Sequence, residues 1–419
     1  MMRKTSVRRA VTYLAVIAAV VGFGAASGTS AQEAEGARWV TAWATSQQAL
    51  GATTITNATV RMIASVTVGG ESVRVRLDNT FGADPLIIGA AYVGSVMRGA
   101  ALAPGSNRPL RFGGSPSVTV APGGTVESDP VPMHVIARQD LAVSLYIPEA
   151  DVRPSQHAQA NVTSYLSDTG SGNVAADTSA EAFIATITST FWLKSIDVRS
   201  QSATGTVVGF GDSITDGTCS TVDAHDRWED LLAVRLALDA AGRGNADAHK
   251  AIVNEGIGGN TVTREHLQPP PNSAPGIERF ERDVLSHQGV TDVILFMGTN
   301  DIRREVPAGD VIVGMQDIVM RAKARGLNVI GVTIIPRHNR APVEDNTGWN
   351  AAKTRARNEV NQWIRATAPF DAVIDFDKVV QDPGNADLIY PPFDCGDGIH
   401  PSPRGYYEMG RSVPLDLFR

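Results

Sequence analysis

The run Gly-Asp-Ser-Ile-Thr at 211–215 contains Ser213, a candidate nucleophile. A serine hydroxyl attacks a carbonyl poorly unless a base within hydrogen-bond reach takes its proton. Near the C-terminus, His400 offers an imidazole, the side-chain type that most often serves as the base, and Asp397 lies three residues earlier. In one turn-like segment the Asp397 carboxylate can hold the second ring nitrogen and stabilise the imidazolium. These residues predict acyl transfer, with the Ser213 N–H as one donor to the developing oxyanion.

Each of these residues has a structural alternative. Ser213 could cap a helix, His400 could be a loop histidine before a proline, and Asp397 could be a turn aspartate before a glycine. Asp212 and Asp301 are expected to bond loop backbone beside the site. The other histidines show no metal-ligand spacing, and neither Cys-x-x-Cys nor His-Glu-x-x-His occurs, so we expect no metal and no cofactor. The surroundings of Ser213 lack the Gly-x-Ser-x-Gly pattern of the α/β-hydrolase fold.

The chain has two cysteines, and both lie close in sequence to the candidate catalytic residues. Cys219 follows Ser213 by six residues, and Cys395 precedes His400 by five. If the two segments meet at one site, the cysteines are also neighbours. We therefore predict a Cys219–Cys395 disulfide, with two free thiols as the alternative.

The second half of the chain has the pattern of an α/β sheet, which can bring these residues together. Short apolar runs of the buried-strand type alternate with helical faces from residue 205 onward, which predicts a parallel sheet covered by helices on both faces. Active sites in such sheets lie beyond the carboxyl ends of the strands. Polar loops follow or lie close to four strand ends: 211–215, 254–260, 298–301 and 397–401.

In the preceding part of the chain, apolar and polar residues alternate with a period of two, which predicts an all-β domain. Many short strands separated by Gly, Pro, Asn and Asp turns favour a sandwich or jelly roll. Residues 66–68 and 73–77, on either side of Gly69-Gly70, predict a β-hairpin. The role of this domain is open between glycan binding, walling the cleft and stabilising its neighbour. Four of its residues could reach substrate, although core packing is the stronger expectation for the tryptophans: Trp39, Trp43, His157 and Tyr165.

The four polar loops resemble, in order, the four conserved blocks of the SGNH (GDSL-like) hydrolase superfamily, and residues 216–228 resemble its xylan-esterase-like branch. Ile214 stands where the name-giving motif has leucine, which is a conservative change. The resemblance implies the SGNH fold over about residues 205–419, and it implies a Ser213, Asp397 and His400 triad. It also implies an oxyanion hole formed by Ser213, Gly259 and Asn300; Gly258 is the alternative to Gly259.

Residues 1–31 have the basic start, apolar stretch and small-residue end of a secretory signal, with a retained anchor as the alternative. Export to the periplasm or the extracellular space is therefore expected, with no membrane span after signal removal. The domain boundaries are placed at 1–31 for the signal, 37–200 for the β-rich domain and 203–419 for the hydrolase. A net charge of −7 argues against a nucleic-acid partner. The oligomeric state is not readable from the sequence.

The expected activity is that of an exported serine esterase that forms an acyl-enzyme at Ser213. The resemblance favours removal of acetyl or other short acyl groups from a carbohydrate ester. Two alternatives stay open. One is a lipid-directed hydrolase of lysophospholipase or arylesterase type, and the other is a mainly binding protein with a vestigial hydrolase domain.

Overall fold

A computed structural model describes residues 36–264, 273–338 and 347–419. The predicted signal at 1–31 lies outside these residues. Within them, no helix is both long enough and apolar enough to cross a bilayer.

The first part of the described chain is built from strands with alternating or continuous burial. Its strands, in chain order, are β1 (Arg38–Ala44), β2 (Ala49–Leu50), β3 (Ala58–Ser65), β4 (Gly70–Asp78), β5 (Leu86–Ile88), β6 (Ala90–Arg98), β7 (Ala101–Leu102), β8 (Arg108–Pro109), β9 (Val118–Val120), β10 (Thr125–Glu127), β11 (Val131–Val135), β12 (Asp140–Ile147), β13 (Ser155–His157), β14 (Ser164–Ser167), β15 (Phe183–Ile187), β16 (Thr190–Phe191) and β17 (Leu193–Ser200).

These strands form two larger antiparallel sheets. One has the order β1-β17-β4-β10, with β11 also on β4, and the other has the order β15-β14-β3-β12-β6-β7, with β8 also on β6. Both sheets contribute to one apolar core, which contains Val60, Val75, Val143 and Val198. The sequence-based choice between sandwich and jelly roll stays a prediction.

The predicted hairpin across Gly69-Gly70 is wrong. Strand β3 pairs with β12 and β14, whereas β4 pairs with β17, β10 and β11, so residues 66–69 connect two different sheets. Neither glycine has a positive φ. Instead, a Cβ at Gly69 would overlap the Val135 carbonyl oxygen, and one at Gly70 would overlap that of Arg199. The glycines are therefore needed for close backbone approach rather than for a tight turn.

The second part of the chain alternates strands and helices. Its elements are β18 (Thr206–Gly211), α1 (Ser213–Asp216), α2 (Trp228–Gly242), β19 (Ala251–Gly256), α3 (Gly276–Phe280) with a π turn at Glu281–Leu285, β20 (Val290–Phe296), α4 (Thr299–Arg303), α5 (Ala308–Ala324), β21 (Asn328–Val332), α6 (Ala351–Ala366), β22 (Ala372–Ile374), α7 (Phe376–Val380), β23 (Gln381–Asp382), β24 (Asn385–Ile389), a 3-10 turn at Pro391–Phe393, α8 (Pro403–Ser412) and a 3-10 turn at Leu415–Phe418.

Five of these strands form a parallel sheet with the order β19-β18-β20-β21-β22. Alternate residues along its strands enter two different apolar clusters. Val208 and Phe210 pack with residues of α5 and α6, whereas Val207 packs with residues of α2 and α8. Because helices cover each cluster, the strands are buried on both sides, and their apolar runs are continuous as in other parallel sheets.

The antiparallel part packs against the edge of the parallel sheet. The Thr67 hydroxyl lies within hydrogen-bond distance of carbonyl oxygens of both parts, 2.9 Å from that of Ala42 and 3.1 Å from that of Ile252. Thr206 on β18 likewise donates to the Thr41 carbonyl at 3.1 Å. Residues 36–419 thus form one compact unit. The domain boundaries at 37–200 and 203–419 stay a prediction.

Candidate active site

Ser213 lies at the start of a one-turn helix directly beyond β18. The Asp212 carboxylate caps this helix by accepting the Ile214 N–H at 3.0 Å, and Gly217 ends it in the left-handed conformation with φ +96°. A Cβ at Gly211 would overlap the Thr215 side chain. A glycine before the turn thus lets the helix start immediately at the strand end, and this places the Ser213 side chain at the carboxyl edge of the sheet.

Three side chains form a hydrogen-bonded series at this edge. Ser213 Oγ lies 2.9 Å from His400 Nε2, and His400 Nδ1 lies 2.6 Å from Asp397 Oδ2. Since an ionised carboxylate can only accept, Nδ1 carries the proton and donates it to Asp397. Nε2 is then the lone-pair nitrogen, and it accepts the hydrogen bond from Ser213. This tautomer is the one that can remove the serine proton.

The Asp397 carboxylate is held as an anion. Its second oxygen accepts the backbone N–H groups of Ile399 and His400, each at 2.8 Å. Burial alone would raise the pKa of Asp397. The hydrogen bond and charge of the His400 ring, together with these N–H groups, instead lower it from 3.8 to about 2. The carboxylate therefore stays charged beside the imidazole over the working pH range.

The loop that carries Asp397 and His400 is fixed by its own backbone. Asp394 Oδ1 accepts the N–H groups of Gly396 at 2.9 Å and Gly398 at 3.1 Å, and the Cys395 N–H donates to the His400 carbonyl at 3.0 Å. Such side-chain-to-backbone bonds order a turn that has no regular structure.

Two links tie this C-terminal segment to the loop after Ser213. The predicted Cys219–Cys395 disulfide is present, with 6.3 Å between the Cα atoms. In addition, the buried Tyr406 of α8 donates its hydroxyl to the Thr218 carbonyl at 2.8 Å. The loop after Ser213 and the loop before His400 therefore lie side by side, which is the condition on which the disulfide prediction depended.

Gly259 and Asn300 follow the two strands that flank β18. In the parallel ladder Gly211 is level with Gly256 and Phe296, so the loops after these three strands start at the same height. Gly259 has φ +75°, which favours glycine. Its N–H donates to no other described residue, and only one hydrogen of the Asn300 amide is used, on the Asn260 carbonyl at 3.0 Å. The Gly258 N–H, by contrast, is bound to Asp216 at 2.8 Å.

The two aspartates that were expected to be structural both bind loop backbone. Asp301 accepts the N–H groups of Val262 at 2.9 Å and Thr263 at 3.0 Å, which fixes the loop after β19 to α4. Burial raises the pKa of Asp301 from 3.8 to about 6 and that of Asp212 to about 7. Both carboxylates are thus costly to ionise in the folded protein.

A buried ionic cluster beneath these loops was not predicted from the sequence. Arg279, 1% exposed, donates to the carbonyl oxygens of Gly211 at 2.7 Å and Glu255 at 2.9 Å. Lys194 of β17 reaches the same cluster, with its Nζ 2.8 Å from Asp283 and 3.1 Å from Glu255. The sequence carries little signal for this cluster, because its charges come from segments far apart in the chain.

The β-region residues that were considered for substrate contact pack against other parts of the protein. Trp43 packs against the core of the antiparallel sheets, and Trp39 lies under the Arg74 guanidinium at 4.1 Å. Tyr165 packs beside a small apolar cluster, and His157 is 2% exposed. Trp43 thus takes the core-packing role that was favoured for the tryptophans, whereas for Trp39 that role stays a prediction.

One group of metal-ligand atoms occurs in the described part of the chain. Cys219, Cys395 and Asp397 have ligand atoms within 4.8 Å of one another. Both cysteines are disulfide-bonded, so neither offers the thiolate that binds a metal. The donor set thus does not fit a metal ion.

Comparison with known proteins identifies the class of this domain. Residues 210–407 match the model of the GDSL-like Lipase/Acylhydrolase family. This part of the chain is therefore a GDSL-like hydrolase domain, which confirms the superfamily resemblance; the branch assignment stays a prediction. No curated protein matches the chain.

Several solved structures are similar to about half of the chain. The carbohydrate acetylesterase Est24 from Sinorhizobium meliloti is 21% identical, with 51% of this chain and 98% of that chain covered and a TM-score of 0.39. A carbohydrate acetylesterase family member from the same organism is 18% identical, with 51% and 97% covered and a TM-score of 0.40. A GDSL-like lipase from Bacteroides thetaiotaomicron is 19% identical, with 51% and 87% covered and a TM-score of 0.34.

Proposed function

We propose that this protein is a serine esterase that hydrolyses carboxylic esters through an acyl-enzyme at Ser213. The observation that carries the proposal is the hydrogen-bonded series from Ser213 through His400 to Asp397, with 2.9 Å and 2.6 Å between the bonded atoms. A nucleophile, a base and a group that orients the base are the parts that acyl transfer requires. The GDSL-like acylhydrolase domain agrees with this reaction class.

The first half of the reaction acylates the serine. His400 Nε2 takes the Ser213 proton while Oγ attacks the ester carbonyl carbon, and the imidazolium is stabilised by the Asp397 carboxylate. The carbonyl oxygen becomes an oxyanion that accepts hydrogen bonds from the Ser213 N–H, the Gly259 N–H and the unused Asn300 amide hydrogen. The tetrahedral intermediate collapses as the alkoxide leaves with the proton that His400 holds.

The second half releases the acid. Water gives a proton to His400 and attacks the acyl carbonyl, and the same donors receive the second oxyanion. Collapse breaks the ester bond to Ser213, and the serine oxygen recovers its proton from the imidazolium. The carboxylic acid is released, and the enzyme returns to its starting protonation state.

The substrate that we propose is a carbohydrate ester with an acetyl or another short acyl group. Side chains in the loops beyond the strands are polar and held in hydrogen bonds, such as Asn260, Asn300 and Arg337. The apolar Ile214 and Ile257 in the same loops are buried, with at most 1% exposure. Among the described residues of these loops, neither isoleucine offers apolar surface to a long acyl chain, whereas a sugar needs polar partners.

We also propose that the protein works outside the cytoplasm. The signal-like segment at 1–31 and the disulfide beside the catalytic residues support this location, because disulfides persist in oxidising compartments.

The test is hydrolysis of p-nitrophenyl acetate by the wild type and by Ser213→Ala. We expect turnover with a burst of p-nitrophenol in the wild type, and a loss on the order of a thousandfold or more in the variant. Ser220→Ala is the matched control, because it removes a hydroxyl from the same loop that has no hydrogen-bond partner among the described residues. No turnover by the wild type, or near-normal turnover by Ser213→Ala, would overturn the proposal.

A series of p-nitrophenyl esters of increasing acyl length, run beside acetylated xylan, tests the substrate. We expect kcat/KM to be highest for acetyl and to fall with length. A rate that rises with chain length would favour a lipid-directed hydrolase instead.

A further inference from the structure

His157 connects the antiparallel part of the chain to the helix that carries Ser213. It lies on β13 and is 2% exposed. Its Nε2 lies 2.9 Å from Asp216 Oδ1 and 3.2 Å from the Gln159 carbonyl oxygen, and its Nδ1 lies 2.8 Å from the Ser46 carbonyl oxygen. Asp216 is the last residue of α1, three residues after Ser213.

The partners of His157 show that its ring is a cation. Carbonyl oxygens and an ionised carboxylate only accept hydrogen bonds, so both ring nitrogens must donate. Only the imidazolium carries a proton on each nitrogen. Burial alone would lower the pKa of His157, but the Asp216 carboxylate and the hydrogen bonds raise it above 6.5. His157 and Asp216 therefore form a buried ion pair between the two parts of the molecule.

The second oxygen of Asp216 reaches the loop that carries Gly259. Asp216 Oδ2 accepts the Gly258 N–H at 2.8 Å, and this is the peptide next to the free N–H of Gly259. The two segments are in close backbone contact, because a Cβ at Gly256 would overlap the Asp216 backbone. A shift of the Asp216 carboxylate is therefore transmitted to the Gly258–Gly259 turn.

We propose that His157 is a positioning residue for ester hydrolysis: it holds Asp216 so that the Gly258–Gly259 turn presents the Gly259 N–H to the oxyanion. This inference rests on the proposed function. It gives the antiparallel part a role in the reaction without contact with substrate. The sequence left three roles open for this part, and the inference develops the third, stabilisation of the neighbouring domain. In this role the antiparallel part also aligns an oxyanion donor.

An oxyanion donor that is displaced weakens the transition state more than the bound substrate, so the effect falls on kcat. We expect His157→Phe, which fills the space without donors, to lower kcat by about tenfold to a hundredfold while KM changes little. His157→Gln can still donate to Asp216 and should recover part of the loss. Inactivation by a phosphonate ester, whose phosphoryl oxygen occupies the oxyanion position, should slow in parallel.

The control is Ser155→Ala, on the same strand and equally buried, whose hydroxyl bonds Asp78 at 3.0 Å within the antiparallel part. It should lower the unfolding temperature but leave kcat unchanged. If His157→Phe does not fold, Asp216→Asn decides, because one amide cannot accept from both His157 and Gly258. If His157→Phe folds and its kcat is unchanged, the inference is overturned. If His157→Phe does not fold, an unchanged kcat in Asp216→Asn overturns it. Either result leaves the esterase activity of the wild type unaffected. Absence of wild-type esterase activity would overturn both proposals.

Discussion

The Cys219–Cys395 disulfide should contribute to stability more than to the chemistry at Ser213. The perturbation is the double variant Cys219→Ser, Cys395→Ser, compared with wild type that has been reduced and alkylated. Both treatments remove the covalent link between the loop after Ser213 and the loop that carries Asp397 and His400. The double variant also avoids a lone thiol that could pair between molecules.

The size of the effect follows from the length of chain that the disulfide closes. The two cysteines are 176 residues apart in sequence, so the bond encloses most of the hydrolase domain. The loss of chain entropy in the unfolded state corresponds to about 5 kcal/mol for a loop of this length. We expect a somewhat smaller measured loss, about 2–5 kcal/mol, because real unfolded chains are already compact.

The effect on catalysis should be smaller for a structural reason. After the disulfide is removed, Tyr406 still donates to the Thr218 carbonyl, and Asp394 still holds the loop around Gly396 and Gly398. The Ser213–His400 contact is therefore expected to survive in the folded variant. We expect kcat/KM for p-nitrophenyl acetate to fall by less than about tenfold.

Urea unfolding, followed by fluorescence and by residual esterase activity, measures both quantities on one sample. Mass spectrometry of the untreated protein should show a gain of two hydrogens on reduction. Reductant should lower the unfolding midpoint of the wild type and leave that of the double variant unchanged. A wild type whose midpoint does not respond to reduction, although the mass changes, would refute the reasoning from chain entropy.

Two further changes test the buried charges around the site. Asp212→Asn keeps an oxygen for the Ile214 N–H but removes a carboxylate whose pKa is raised to about 7. The wild type loses stability relative to this variant as the pH rises from about 4 to 7. Thermal melts should therefore show that the free energy of unfolding of Asp212→Asn exceeds that of the wild type by roughly 4 kcal/mol above pH 7 and by little near pH 3. A difference that does not depend on pH would contradict the raised pKa of Asp212. Lys194→Met leaves Asp283 and Glu255 buried without their ammonium partner, and it should cost about 3–5 kcal/mol in urea unfolding at pH 7 and less at pH 4. An equal loss at both pH values would mean that packing, not charge, explains the effect.

Short-range pattern was enough to predict the elements of the parallel sheet. Among the alternating apolar runs and helical faces predicted from residue 205 onward, the structure has the strand Thr206–Gly211 and the helix Trp228–Gly242. A strand that is buried on both faces has a continuous apolar run, and a helix with one apolar face has a helical period, so both can be recognised from a short stretch of sequence. Strand pairing in the antiparallel part was harder to predict. Residues 66–77 have the pattern of a hairpin, but the strands there pair with partners far away in sequence.

The sequence by itself determined which chemistry is proposed for this protein. It contains a serine, a histidine and an aspartate in family-like blocks, a GDSL-like domain, and two cysteines placed where loop proximity would join them. These signals are local, since each block is a short run at the end of a predicted strand. Only the tertiary structure decided what supports those blocks. His157, Lys194 and Arg279 have no motif. Their partners Asp216, Asp283 and Gly211 lie 59, 89 and 68 residues away in sequence. A buried charge is tolerated only beside a matching charge or dipole, and the fold alone determines which residues become neighbours.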